Sequence, residues 1–538
     1  MMRAADHLAR RLAEAGCQHA FGIPGGEVLT IIDALEAAGI TFHLAKHETA
    51  AGFMAEACWH RTGAPGILVA TVGPGLSNAI NVIANARLDR VPLIVIAGAV
   101  DADDRLSYTH QVIDHARLVE PAVKGSFELN AVRPDLVAER ALALAGDPRP
   151  GPVLIDVPIR VAAMSVEGAG RKLRRPPVGA SGPAEGDALA RARSWLAQSR
   201  RPLMIAGFDA VIDDAGPVIR DFVERFRVPV IQTYKAKGIL DEDHPMALAP
   251  AALSPVADAR LKPVIERADL IILAGYDAVE MRPSWQNPWD ETTKRVVEFS
   301  ATANDHYMHQ AGLFFVCDTG AGLRALAGGG AEPSGQWSDE EIAGLRSAVL
   351  EPFRIDEEWG PAAITDVARK VLPPETIATV DAGAHRILFN QVWRCPQPRT
   401  LLQSNGLCTM GGAMPLAIGA RIAEPGRPAV AFFGDGGLLM FTGELATCSE
   451  LGLPVIFVVF VDRSLALIEK KQRESQLRKL GVDLGRFDYE AIARGFGGYG
   501  VTVRDRPGLE AALRQALNAD RFTLIACEID ENAYDGRI

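Results

Sequence analysis

Short β-rich runs alternate with longer helical stretches along this 538-residue chain. This order predicts an α/β protein built from three doubly wound parallel-sheet domains. The chain is too long for one hydrophobic core. Two segments rich in Gly, Pro and charge, 166–186 and 327–335, interrupt the alternation and are typical of linkers. A strand–turn–helix–strand pattern near the start is repeated near the end.

The elements follow one another in the order expected for βαβ units. The first domain, predicted over 1–165, begins with an amphipathic helix that runs into a strand, and further strands are predicted at 42–45, 67–72, 92–97 and 153–157. The central domain, predicted over 187–330, has strands at 202–206, 228–232, 270–274 and 295–299. The third domain, predicted over 355–538, has strands at 376–380, 429–433, 454–461 and 523–528.

The repeated pattern indicates that the first and third domains are related. In the first, LVATVGPG is followed by a helical stretch and VPLIVIAG; in the third, VAFFGDGG is followed by a helical stretch and LPVIFVVFVD. A Gly-x-Gly turn after a strand is common by chance. The matched Pro-led strand therefore favours two related domains over coincidence.

Composition and charge exclude several classes of function. The formal net charge of −11 disfavours a general nucleic-acid binder, which needs a basic face. The seven cysteines are scattered without a CxxC pair, so we expect neither a disulfide framework nor a zinc site. The N-terminal stretch lacks the apolar segment of a signal peptide, and the apolar run 453–461 is about half of a bilayer span. We therefore expect a cytoplasmic protein without nucleic-acid or membrane partners.

An acidic side chain in a Gly-rich turn points to a metal ion. Asp435 lies in the turn GDGG (434–437) after a predicted strand, where backbone N–H groups can meet a phosphate. A carboxylate there would repel the phosphate unless a cation lay between, and Mg²⁺ commonly joins carboxylates to phosphates. Asp462, which ends the next predicted strand, is the expected second ligand. Taken alone, GDGG is better interpreted as an ordinary turn. With Asp462 at the end of the next strand, a metal–diphosphate site becomes the better interpretation.

The stretch from the GDG turn to Ser464 resembles the signature of thiamine-diphosphate enzymes. The resemblance covers nearly the whole chain and is strongest to acetolactate synthases, on the segments FGIPGGEVL, AKHETAAGFMAEA, TVGPGLSNAINVIANA, THQVIDHARLVEPAVKG, DAGAH and NGLCTMGGAMPLAIGA. It implies the thiamine-diphosphate-binding fold, with an aminopyrimidine-binding, a central and a diphosphate-binding domain. It also implies a homodimer or homotetramer whose active sites lie between two chains.

The resemblance assigns cofactor-binding roles in the third domain. It implies that Mg²⁺ is bound by Asp435, Asp462 and the backbone carbonyl of Ser464. The cofactor-binding residues of this edge comprise the same three and the glycines of the turn, Gly434, Gly436 and Gly437. Gly383 and His385 match the segment that lies against the diphosphate. The carbonyl of Cys408 would accept a hydrogen bond from the cofactor's 4′-amino group. Met410 would keep the cofactor bent, although Met by itself is more often core filler.

In the first domain the resemblance implies a catalytic carboxylate and a reacting-centre pair. Glu48 matches the glutamate that activates the cofactor ring through the pyrimidine N1′, in a site whose Asp435 belongs to the partner chain. Without the motif, a Glu in a first helical turn is usually a solvated capping residue. His110 and Gln111 match a His-Gln block at the reacting centre, and Pro24 lies in a cofactor-binding segment.

Three positions depart from the acetolactate synthase pattern. Val461-Asp462 replaces Asn-Asn, and Asp remains an acceptable Mg²⁺ ligand. The segment LAGYDAVEMRPS (273–284) lacks the Arg-Phe-Asp-Asp-Arg run of flavin-bearing synthases, so FAD is not expected and the non-flavin type is the better match. On the helix LALIEKKQ, Leu467 and Lys471 are candidate substrate contacts, and Lys471 stands where non-flavin synthases have Gln. A solvated Lys471 is the alternative.

The expected function is therefore a thiamine-diphosphate- and Mg²⁺-dependent carboligase or lyase. It would decarboxylate one 2-oxo acid to an enamine and condense it with a second carbonyl. A simple 2-oxo acid decarboxylase or C–C lyase on the same cofactor is the first alternative, and a catalytically silent cofactor-binding protein is a distant one. A nicotinamide enzyme is disfavoured, because neither Gly turn is a GxGxxG motif followed by an acidic residue at the required distance.

Overall fold

A computed structural model describes residues 2–538 apart from 167–178, Glu291 and Ala331. Most of the predicted linker 166–186 therefore lies outside the described residues. A short antiparallel pair, β1 (Met2–Arg3) and β8 (Ser165–Val166), joins the two ends of the first domain. The domain boundaries themselves remain predictions.

Six described strands form the parallel sheet of the first domain: β2 (His19–Gly22), β3 (Thr41–Leu44), β4 (Gly66–Ala70), β5 (Leu93–Ala99), β6 (Ser126–Glu128) and β7 (Val153–Pro158). Their order across the sheet is β3-β2-β4-β5-β7-β6. The helices around it are α1 (Ala4–Glu14), α2 (Leu29–Ala37), α3 (Glu48–Thr62), α4 (Pro74–Asn78), α5 (Ile80–Leu88), α6 (His115–Val119), α7 (Pro134–Ala145) and α8 (Ile159–Ala163).

The central sheet is also parallel and has the order β10-β9-β11-β12-β13. Its strands are β9 (Pro202–Ala206), β10 (Val230–Gln232), β11 (Leu270–Ala274), β12 (Arg295–Ser300) and β13 (Leu313–Val316). Its helices are α9 (Asp187–Gln198), α10 (Phe208–Ile212), α11 (Gly216–Phe226), α12 (Pro255–Arg267) and α13 (Thr319–Ala327). A further helix, α14 (Asp339–Leu350), packs against α12, and Glu341 of α14 pairs with Arg201 and Arg267.

The third sheet repeats the strand order of the first, in the sequence β15-β14-β16-β17-β19-β18. Its parallel strands are β14 (Ile377–Val380), β15 (Leu401–Leu402), β16 (Ala429–Gly434), β17 (Ile456–Val461), β18 (Tyr499–Val503) and β19 (Thr523–Glu528). Its helices are α15 (Pro361–Val371), α16 (Ala384–Val392), α17 (Ala413–Ala423), α18 (Asp435–Phe441), α19 (Glu444–Glu450), α20 (Ala466–Glu474), α21 (Tyr489–Gly495) and α22 (Arg506–Ala516). The predicted fold class is confirmed, and so is the relation between first and third domains.

The first and third domains meet through α3 and α17, which pack against each other. Every residue of α3 from Glu48 to His60 is buried, as expected for a helix covered on all sides. Small residues permit the close approach: a Cβ on Gly419 of α17 would lie 2.3 Å from the Met54 carbonyl oxygen of α3. Each of these helices connects the second and third strands of its own sheet.

Within the part of the chain that the structure describes, no helix combines the length and apolar character needed to cross a bilayer.

Candidate functional site

The carboxyl ends of β16 and β17 bring two predicted metal ligands to one sheet edge. Asp435 begins α18 directly after β16, and Asp462 directly follows β17. These strands are parallel neighbours, with Gly434 opposite Phe460. Ligands collect at such edges in α/β proteins, because loops and helix N-termini meet there. The structure therefore brings Asp435 and Asp462 together.

Burial and mutual repulsion make this edge unfavourable for two negative charges. Asp435 is 2% exposed and accepts hydrogen bonds from the N–H groups of Gly436 (2.9 Å) and Arg463 (2.8 Å). Burial raises the pKa of Asp435 to about 6. Burial, together with the nearby charge of Asp435, raises the pKa of Asp462 to about 8. A bound cation would offset both effects.

Polar groups beside the aspartates also lack partners. The Ser464 Oγ is buried without a hydrogen bond to any described residue, and the same holds for the Tyr534 hydroxyl. Among the described residues, no three His, Cys, Asp or Glu side chains gather at one point. Two carboxylates fit Mg²⁺, which keeps waters and shares phosphate oxygens rather than needing an all-protein cage. The carbonyl of Ser464 stays a predicted ligand.

Asp381, which the sequence prediction missed, links the start of α16 to the loop before α17 through hydrogen bonds. Its Oδ1 is hydrogen-bonded to His385 Nε2 at 2.8 Å, and its Oδ2 accepts the Gly411 N–H at 2.5 Å. A Cβ on Gly437 would lie 2.1 Å from the same Oδ2, so only glycine fits there. Gly383 caps α16 at the start of this segment. The motif DAGAH contained the signal, since its Asp directly follows β14.

Cys408 and Met410 lie in the loop between β15 and α17, next to the metal edge. Cys408 has a φ of +53°, in the left-handed region that few non-glycine residues adopt. Its Sγ lies 3.1 Å from a guanidinium nitrogen of Arg386. Met410 Cε would lie 3.3 Å from a Cβ on Gly436, so the thioether side chain borders the GDG turn.

His110 and Gln111 line a separate cavity of about 360 Å³ in the first domain. Gln111 has a φ of +59°, and its carbonyl oxygen would lie 2.4 Å from a Cβ on Gly73. Glu27, which the sequence prediction also missed, lines the same cavity and accepts a hydrogen bond from Thr71 Oγ1 at 2.7 Å. The motif GIPGGEVL contained Glu27, but no spacing distinguished it from a surface carboxylate. Pro24 lies exposed in that segment.

Glu48 begins α3 and is only 5% exposed. Its Oε2 accepts a hydrogen bond from Asn78 Nδ2 at 3.1 Å. No other described residue hydrogen-bonds to this carboxylate, and no hydrogen bond within the described chain links Glu48 to Asp435 or Asp462. Its role therefore stays a prediction.

The two candidate substrate contacts differ in their surroundings. Leu467 is half-buried against the small cluster of Ala384, Ala466 and Tyr534, close to the metal edge. Lys471, one turn further along α20, is exposed in the single chain. The contact predicted for Lys471 remains untested.

Family models match three successive parts of the chain. The N-terminal TPP binding domain of thiamine pyrophosphate enzymes matches residues 2–118, their central domain matches 189–326, and their C-terminal TPP binding domain matches 381–527. These descriptions define a class of protein, the three-domain thiamine pyrophosphate enzymes.

Curated relatives match over nearly the full chain. An acetolactate synthase of Bacillus subtilis is 29% identical, with 98% of this chain and 93% of the relative covered. The acetolactate synthase isozyme 1 large subunit of Escherichia coli is 29% identical, and the match covers 98% of this chain and 94% of the relative. An acetolactate synthase large subunit of Parasynechococcus marenigrum is 31% identical, and the match covers 97% of this chain and 87% of the relative. The chain belongs to the thiamine pyrophosphate enzyme family and is an enzyme of the acetolactate synthase type.

Proposed function

We propose that this enzyme is a Mg²⁺-dependent carboligase or lyase that acts on a 2-oxo acid. The observation that carries the proposal is the pair of neighbouring carboxylates at the edge formed by β16 and β17, of which Asp435 is buried and Asp462 half-buried. The pKa is raised to about 6 for Asp435 and to about 8 for Asp462, so a nearby cation would favour the charged form of both carboxylates. The relatives are named acetolactate synthases, and we extend that class of reaction to this chain.

The third domain would hold the cofactor. Asp435, Asp462 and the carbonyl of Ser464 would bind Mg²⁺, and Gly383 with His385 would lie against the diphosphate. The carbonyl of Cys408 would accept from the 4′-amino group, while Met410 would support the ring from beside Gly436. When bound, thiamine diphosphate supplies a carbon nucleophile that also accepts the electrons released on loss of CO₂.

The first domain of a partner chain would complete the site. Glu48 would hold a proton between its carboxylate and the pyrimidine N1′, and His110 with Gln111 would orient the substrate. This requires a homodimer or homotetramer with sites at the interface. Large apolar side chains are exposed close in sequence to the candidate residues of the first and third domains, as expected of a surface that another copy covers. They are Leu106, Ile113, Met440, Ile468, Leu477 and Leu480.

FAD is not part of the proposal, because the carboxyl edge of the central sheet carries buried carboxylates. Asp209 and Asp277, which follow β9 and β11, are buried and share an ion pair with Arg90, whose second guanidinium nitrogen lies 2.7 Å from Asp277. Anionic cofactors bind at such edges through N–H groups and cations. Two carboxylates that already engage the local arginine oppose a diphosphate there.

A simple decarboxylase or lyase is the second candidate, and Glu27 favours it. Its carboxyl group lines the same cavity as His110, so the two can hold and deliver a proton to a reacting carbon. A carboligase must instead keep that proton away from the reacting carbon until the second carbonyl compound has bonded to it. We also propose a cytoplasmic location, since all seven cysteines are free thiols.

A screen of 2-oxo acids with thiamine diphosphate and Mg²⁺, with product masses determined, tests the proposal. A ligated product identifies a carboligase, and an aldehyde alone identifies a decarboxylase. If the protein binds thiamine diphosphate but shows no cofactor-dependent turnover, it is a catalytically silent cofactor-binding protein.

A further inference from the structure

The loop 404–410 of the third domain is held in place by the end of α5 in the first domain. The backbone N–H groups of Asn405 and Gly406 donate to Asp89 Oδ2 (3.0 Å) and Oδ1 (2.8 Å). A Cβ on Gly406 would lie 2.3 Å from the Cβ of Leu88, so α5 and the loop are in direct contact. One carboxylate therefore takes two successive N–H groups of the loop.

A second link joins the same helix to the far end of the loop. The Thr409 N–H donates to Ser404 Oγ at 3.0 Å, and Ser404 Oγ donates to Asn85 Oδ1 at 2.6 Å. Asn85 in turn donates to Glu56 of α3 at 3.2 Å. Asn85 and Asp89, four residues apart at the end of α5, thus fix both ends of the segment that contains Cys408.

The Asp89 side chain is fully buried, and its charge is balanced from the central domain. Lys235 Nζ lies 3.1 Å from Asp89 Oδ2, and the two side chains are 4% and 0% exposed. A buried carboxylate is stable only when it is paired and hydrogen-bonded, and here all three domains contribute. The contact therefore depends on the charge of Asp89.

Arg386 holds the loop from the opposite side. This buried guanidinium donates to Gln403 Oε1 at 2.9 Å, to Asn405 Oδ1 and to Cys408 Sγ at 3.1 Å. The carboxylate of Asp89 thus accepts from backbone N–H groups of the loop, and the guanidinium of Arg386 donates to side-chain acceptors in and beside it. Together they keep Cys408 in the left-handed conformation described above.

We propose that Asp89 and Asn85 are positioning residues for the cofactor ring, acting through the loop 404–410. The inference rests on the proposed function, because Cys408 and Met410 contact a ring only if thiamine diphosphate binds there. An amide in place of the Asp89 carboxylate keeps one acceptor oxygen, so at least one of the two N–H groups would lose its acceptor and Cys408 would be held less firmly in its left-handed conformation. The Cys408 carbonyl and the Met410 side chain would then meet the ring less well.

The test compares Asp89→Asn with Glu242→Gln in the full-length protein, with thiamine diphosphate and Mg²⁺ as the probe. Glu242 is a matched control: it is buried, pairs with Lys237 at 2.7 Å and accepts the Cys395 N–H of the third domain at 2.6 Å, away from the loop. Both variants should lower the thermal midpoint. Only Asp89→Asn should weaken cofactor affinity by roughly ten- to hundredfold, lower turnover at saturating cofactor and change the near-UV circular dichroism of the bound cofactor.

The outcomes separate this inference from the proposed function. If the wild-type protein binds no thiamine diphosphate, the proposed function fails. If the wild type binds it and Asp89→Asn behaves like Glu242→Gln, the positioning role is overturned. Should Asp89→Asn not fold, Ser404→Ala decides, because it removes only the link from Asn85 to Thr409. Unchanged affinity and circular dichroism in Ser404→Ala would then overturn the inference.

Discussion

The carboxylates of Asp435 and Glu48 lie in different surroundings, which suit different tasks. Asp435 receives two backbone N–H groups at a sheet edge and lies beside a second aspartate. Glu48 receives one side-chain amide at the start of a buried helix. The first arrangement suits a group that anchors a cation, and the second suits a group that holds a proton.

Asp435→Asn should empty the cofactor site. The amide keeps a hydrogen-bond acceptor of the same size, but Mg²⁺ loses a charged ligand and the diphosphate loses its counter-charge. Gel filtration in the presence of Mg²⁺ should leave thiamine diphosphate with the wild type and remove it from the variant. Equal retention by both proteins would contradict the metal assignment.

Glu48→Gln should have the opposite effect. The variant should retain thiamine diphosphate in the same gel-filtration assay, yet its turnover should fall by about 10²–10⁴-fold, the range for loss of a positioned acid–base group. Steady-state rates at saturating cofactor measure this. Rates equal to wild type would show that Glu48 does not activate the ring.

Lys471→Gln should change substrate preference if the lysine faces the site of the assembled enzyme. An ammonium group there would pair with an acidic group of the substrate, and its loss should lower kcat/KM for that substrate by roughly ten- to hundredfold. Lys470→Gln is the matched control, since Lys470 on the same helix pairs with Glu474. Unchanged ratios over a panel of 2-oxo acids, with and without a second acidic group, would place Lys471 in solvent.

At the scale of elements, the contact between α3 and α17 has no spare volume. Gly419→Ala should therefore destabilise the protein by about 1–3 kcal/mol, the usual cost of overpacking. Gly426→Ala is the control, because a Cβ at Gly426 would meet nothing within 4 Å. Thermal unfolding of both variants measures the difference. Equal midpoints would mean that the helices move apart without cost.

The sequence predicts interior strands better than edge strands. Every predicted strand overlaps an observed one, and central strands such as β5 and β17 are continuous apolar runs buried on both faces. Apart from the two-residue strands β1 and β8, the missed strands are β6, β13, β15 and β18, and all four lie at sheet edges. They are short or half-exposed, so they carry no long apolar run for the sequence to reveal.

At the scale of the whole molecule, the site should be shared between chains. Mixing inactive Asp435→Asn with inactive Glu48→Gln should restore activity if subunits exchange, because one of the two sites in a mixed dimer would combine both intact halves. Turnover after mixing, with each variant alone as the control, measures this. A monomer in sedimentation that is fully active would contradict the shared site.

Contacts between domains are the part of the site that the sequence could not predict. Local patterns at strand ends predicted Asp435 and Asp462, and the family resemblance predicted Cys408 and Met410. No local pattern marked Asp89, since its partners are the backbone of Asn405 and Gly406, more than 300 residues away. Contacts that depend on how domains pack are visible only once the fold is known.

The shared strand order of the first and third sheets has a consequence for descent. Helices α3 and α17 occupy equivalent places in the two sheets and pack on each other, so each domain presents the same helix of its fold to the other. An arrangement of this kind is expected when one domain is duplicated and the two copies are joined in a single chain. The candidate residues differ between the two places: Cys408 and Met410 precede α17, whereas Glu48 begins α3.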